Sequence, residues 1–302
     1  MAGTMRTTAM AFGCVGGLGG AVYGLISGQS RRARRAIGYP KGSAPYADGV
    51  YLPDGTGPLP SDDPRAVRPI RLAVLGDSSA AGIGADTAEQ VPGALVARGL
   101  AEEAEQAVRL TTYAVSGATS RELLEQAGRA AADRPDVAVA MIGGNDVTKR
   151  LAPQTAAALL GRAVRVLRDT GAEVIVGTCP DLGVVRPIPQ PLRGLLHTWS
   201  RTLARLQNNA VRGAGGHPVP FADLLAAEFM ARADLFSRDQ FHPSGAGYEA
   251  AAAVLLPRVC AALGLWHGLG VAPPKRVAPA PAGVLAALTG PDGPTAVARA
   301  AR

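Results

Sequence analysis

Apolar residues in this chain fall into short runs, separated by longer segments in which they recur at helical spacing. Runs at Leu72–Leu75, Leu110–Val115, Val137–Ile142 and Val174–Gly177 are short, and most are rich in Val, Ile or Thr. Runs of that kind read as buried strands. His217–Asp223, with two prolines, reads as an edge or irregular strand. Between the runs lie Ala/Leu/Glu/Arg-rich segments at about 87–105, 120–132, 152–170, 195–212 and 244–263 that predict helices. Strand–helix alternation of this kind predicts a parallel sheet with helices on both faces.

The flanks differ from this body. Residues 7–30 carry no charge and are long enough to cross a membrane as a helix. The basic run Arg31 to Arg35 follows, so the pattern predicts a single N-terminal membrane span with membrane association. The side of the membrane stays open, and a secreted protein with a signal peptide is the alternative. Residues 36–69 are dense in Pro, Gly and Asp without a period and predict a linker. From about residue 269 the chain is Pro/Ala-rich, which predicts a disordered tail with one short helix at Val284–Leu288. The expected organisation is therefore anchor and basic flank 1–35, linker 36–69, folded domain 70–268 and tail 269–302.

Charge narrows the function. The formal net charge is +7, but residues 71–270 carry 19 basic and 19 acidic side chains. The excess belongs to the ends, so no basic face for nucleic acid is expected on the folded body. Cys14, Cys179 and Cys260 are far apart and lack CxxC spacing, and no HxxxH pair occurs. No metal and no cofactor is expected. The segment Gly82 to Thr87 lacks the third glycine of a dinucleotide loop.

Ligands of parallel sheets bind beyond the carboxyl ends of the strands. Small and polar residues collect there: Gly76 to Gly82 (GDSSAAG), Ser116 to Ser120 (SGATS), Gly143 to Asp146 (GGND) and Gly177 to Gly183 (GTCPDLG). Before the last helix stands Asp239 to Tyr248 (DQFHPSGAGY). A serine hydroxyl needs a positioned base to act as a nucleophile. His242, with Asp239 three residues before it, has the spacing of a base and the acid that orients it. An oxyanion needs converging donors, and the amides of Ser78 and Gly117 and the Asn145 side chain are candidates.

These loops resemble the motif blocks of the SGNH hydrolases, the GDSL-type esterases and lipases. Gly76-Asp77-Ser78 with Gly82 matches the first block and Gly117 the second. Gly143 to Asp146 match the third, and Asp239 with His242 the DxxH of the fifth. The resemblance covers about residues 72–262, and the chain departs from it in having Ser79 after the GDS. It implies a three-layer α/β/α, flavodoxin-like fold with a five-stranded parallel sheet of order 2-1-3-4-5. It also implies a serine esterase or lipase with catalytic Ser78, Asp239 and His242, and an oxyanion hole of Ser78, Gly117 and Asn145. Ser79 is then a cap or pocket residue, Asp77 structural, Asp146 a loop anchor, and Cys179 a pocket-lining residue without a base. His197, His217 and His267 receive no functional role. An acyltransferase or acetyl-carbohydrate esterase acting on envelope polymers, and a non-enzymatic module of the same fold, are the alternatives. The expected partner is a small-molecule or lipid ester.

Overall fold

The computed structural model describes residues 24–33, 35, 37 and 43–266. Six strands form one sheet: β1 (Gly49–Tyr51), β2 (Ile70–Gly76), β3 (Val108–Thr112), β4 (Val137–Met141), β5 (Glu173–Gly177) and β6 (His217–Val219). Their order is β1-β3-β2-β4-β5-β6. The last five run parallel, and β1 joins β3 antiparallel at the edge. The sheet is thus mixed and six-stranded, which corrects the expected five-stranded parallel sheet. The additional strand comes from the segment read as a linker. Three residues among Pro and Gly turns carry no readable period, yet Val50 and Tyr51 are both fully buried.

Ten helices are described: α1 (residues 24–33), α2 (Ser78–Ala81), α3 (Pro92–Ala104), α4 (Ser120–Ala132), α5 (Gly144–Thr148), α6 (Pro153–Arg168), α7 (Leu192–Gly213), α8 (Phe221–Leu224), α9 (Ala226–Ala231) and α10 (Gly245–Ala262). The two-residue period of β2 sorts them into layers. Leu72 and Val74 point to one face, where they pack with Ala94, Val96 and Leu100 of α3 and Leu255 and Leu256 of α10. Ala73 and Leu75 point to the other, against Leu123 of α4 and Leu160 and Val164 of α6. Each Leu or Val side chain fully buried contributes about 1.5–3 kcal/mol, and burial on both faces is why these strands lack alternation.

The order places the site. β2 lies between β3 and β4, and the chain leaves it toward opposite sides, so a crevice opens at its carboxyl end. Gly76, the last residue of β2, sits there at φ +135°, where an added Cβ would overlap the Met141 carbonyl.

The N-terminal expectation needs a second correction. Among the described residues no helix is long and apolar enough to cross a membrane. The described end of the proposed span, α1, instead lies on the body: Ala33 is 5% exposed and Ile26 packs against the same apolar cluster. Gln29 hydrogen-bonds the backbone at Gln190 and Leu192. A hydropathy window cannot see such tertiary partners. The membrane anchor, the membrane association and the membrane location are withdrawn on this finding. Residues 7–23 of the expected span and the expected tail helix Val284–Leu288 lie outside the described residues.

Candidate active site

The first loop after β2 builds a tight turn into α2. Asp77 caps it, its carboxylate accepting the Ser79 amide at 2.9 Å. The turn closes at Gly82, φ +87°. Ser78, the first residue of α2, is only 7% exposed. Asp77 also borders the cavity next to Ser78, and burial pushes its carboxyl up to about 6 against the Ser79 hydrogen bond.

The second half of the site comes from the turn before α10. The Asp239 carboxylate holds it together: Oδ1 accepts from Ser237 Oγ at 2.8 Å and from the amides of Phe241 and His242 at 2.8 and 2.9 Å. Oδ2 faces His242 Nδ1 at 2.6 Å. Burial raises the Asp239 pKa, but the His242 ring and the two amides outweigh it, and the carboxyl is held well below the usual range. With Nδ1–H donated to Asp239, His242 Nε2 is left to accept the Ser78 hydroxyl, and the separation is 2.9 Å. Residues 164 positions apart thus form one unbroken line of hydrogen bonds.

The line ends on a cavity of about 110 Å³. Ser78, Ser79 and Asn145 line it together with Leu182, Val184, Val185, Phe221, Phe229, Phe236 and Phe241. Its walls are apolar, so it suits a hydrocarbon group attached to the atom that Ser78 attacks.

The expected oxyanion donors come from three loops. Asn145, on α5, faces the same cavity as Ser78. Gly117 does not line the cavity. It sits at φ +83° in the loop between β3 and α4, and its carbonyl accepts from Lys149 Nζ at 2.7 Å. Asp146, fully buried, accepts from the Ser120 amide and hydroxyl at 2.9 and 2.8 Å, so the loops of Gly117 and Asn145 are tied together twice. Cys179 lies outside the cavity lining, packed beneath Gly143, and burial holds its thiol well above its usual value. His197 pairs with Asp181 and His217 with Glu173. His267 lies outside the described residues.

Two contributors escape sequence reading. Gln126 clamps the end of β2, accepting the Gly76 amide at 2.8 Å and donating to its carbonyl at 2.9 Å. A signal exists: Gln126 stands on the buried stripe of Leu123, Ala127 and Ala130, where an amide is out of place. Lys149 gives no such signal, because its partner comes from another loop.

A profile of the GDSL-like Lipase/Acylhydrolase family matches residues 74–250. The chain belongs to that family. Among its GDSL relatives, the GDSL-like esterase Rv1075c of Mycobacterium tuberculosis is 46% identical over 234 residues, which cover 76% of this chain and 74% of that protein. The crystal structure of TesA is also similar, with TM-score 0.51 and 26% identity, covering 65% of this chain and 99% of that one. The matched region contains all five residues expected from the sequence to form the site, and α1 and β1 stand outside it.

Proposed function

We propose that this GDSL-family protein is a serine esterase in which Ser78, His242 and Asp239 carry the hydrolysis of acyl esters through an acyl-enzyme. The observation that carries the reading is the line from Asp239 through His242 to Ser78, ending at an apolar cavity. Ser78 Oγ attacks the ester carbonyl as its proton passes to His242 Nε2. Asp239, held ionised, keeps Nδ1 protonated and stabilises the imidazolium. The amides of Ser78 and Gly117 and the Asn145 side chain stabilise the tetrahedral oxyanion. His242 then gives its proton to the leaving alkoxide. In the second half it takes a proton from water as the water attacks the acyl-enzyme, and it returns that proton to Ser78 Oγ as the acyl–oxygen bond breaks and the acid leaves.

The apolar lining of the cavity supports an acyl group with a hydrocarbon chain. We also read the layers as a flavodoxin-like SGNH domain over residues 70–268, extended by β1 from the segment before it.

Hydrolysis of p-nitrophenyl esters by point variants tests the assignment. Ser78→Ala loses at least ~10³-fold in kcat and all labelling by a fluorophosphonate. Ser79→Ala keeps activity within a few-fold. Full activity in Ser78→Ala with loss in Ser79→Ala would overturn the nucleophile.

A further inference from the structure

One wall of the cavity is backed by an element that lies outside the family match. Leu182 and Val185 line the cavity on one side. On their other side they belong to an apolar cluster with Ile188, Leu192 and Ala33, and Ile26 packs on it. So α1 backs the cavity wall. Interiors are close-packed, and a shift behind the wall is felt in front of it.

The segment from Asp181 to Pro191 has only one turn of helix, Leu182–Val184. Its near end is held by the body. Asp181 accepts the Gly183 amide at 2.8 Å, and Ser200 Oγ accepts the Leu182 amide at 3.2 Å. The far end runs into the first turn of α7, where the Arg193 amide donates to the Pro189 carbonyl at 2.9 Å, and Gln29 holds it from outside. Its Nε2 donates to the Gln190 carbonyl at 2.5 Å and its Oε1 accepts the Leu192 amide at 3.0 Å. One side-chain amide therefore bridges the backbone on both sides of Pro191, which has no N–H of its own.

We infer that Gln29 is a positioning residue for the acyl site: by holding Gln190 and Leu192 it sets how far Leu182 and Val185 stand into the cavity, and so the acyl length accepted. The inference rests on the cavity being the acyl site of the esterase proposed above. Gln29 touches no reacting atom, so it acts on chain-length selectivity and not on the chemistry of Ser78.

The test uses the full-length chain and p-nitrophenyl acetate, butyrate and octanoate. Gln29→Met keeps the length of the side chain and removes both hydrogen bonds. One methylene in an apolar pocket is discriminated about 10-fold or more. A relaxed wall is therefore expected to raise the octanoate-to-butyrate ratio of kcat/KM by about 3–10-fold, through KM. Acetate turnover and the rate of fluorophosphonate labelling stay within about twofold. Val185→Ala, which opens the same wall directly, shifts the ratio in the same direction and separates wall position from general destabilisation. An unchanged or lowered ratio in Gln29→Met, or an equal loss on all three esters, overturns the inference. Absence of labelling and turnover in the wild-type chain would instead overturn the esterase reading.

Discussion

Asp77 and Asp239 flank Ser78 and His242, yet their surroundings drive them in opposite directions. Asp239 spends its two oxygens on four donors and stays ionised. Asp77 is more deeply buried, and desolvation pushes it to about 6. The linkage signs follow. A depressed folded pKa means that the unfolded chain binds the proton more readily. Asp239 therefore adds stability above the ordinary carboxylate range, and that stability is lost as pH falls through it. A raised folded pKa does the reverse: between its ordinary value of 3.8 and about 6 the folded state holds the extra proton. The contribution of Asp77 falls as pH rises through that window and does not return above it. Asp77→Asn keeps an oxygen for the Ser79 amide and removes the buried charge. Its Tm relative to wild type is expected to be higher at pH 8 than at pH 4, followed by thermal denaturation at both. An equal difference at the two pH values would mean that Asp77 carries no buried charge cost.

Among the elements, β1 shows how much of the fold depends on residues outside the family match. Tyr51 is fully buried in the main apolar cluster, and its hydroxyl donates to the Ala47 carbonyl at 2.6 Å. Truncating a large buried aromatic costs about 3–5 kcal/mol. Tyr51→Ala is expected to lose that much in urea denaturation, with kcat per folded molecule retained, because β1 lies at the sheet edge away from Ser78. A variant as stable as wild type would make β1 an ornament of the sheet. The elements that hydropathy reveals are those with a period of their own. β2, β4 and β5 are buried on both faces and read as apolar runs, and α4 and α6 carry clean stripes. β1 is three residues long, and what makes it a strand is its ladder with β3, which no local pattern records. α1 misleads for the same reason: an uncharged run reads as membrane-spanning, while the contacts of Gln29 and Ala33 belong to a segment some 160 residues away. Ser78, Asp239 and His242 were legible because each block holds its chemistry locally. Lys149, whose partner lies on another loop, leaves no local signal, and Gln126 shows only as an amide on an apolar stripe.

At the scale of the whole molecule, the charge is unevenly distributed along the chain. The N-terminal side reaches back over the acyl wall through α1. After α10, Trp266 is 8% exposed and its Nε1 donates to Glu103 at 2.9 Å. Every site residue lies before it. Residues 267–302 carry four basic and one acidic side chain, nearly half of the net +7, on a body whose charges balance. If that stretch serves charge and not the domain, a chain ending at Trp266 keeps its Tm within about 2 °C and its kcat on p-nitrophenyl butyrate. It elutes from a cation exchanger at lower salt, since exposed charge acts over the Debye length and is screened. A fall in Tm or in kcat would place part of the tail on the domain. The same cut also bears on Gln29. The acyl wall is held from the N-terminal side, so the octanoate-to-butyrate ratio stays at the wild-type value in the shortened chain, although it moves in Gln29→Met.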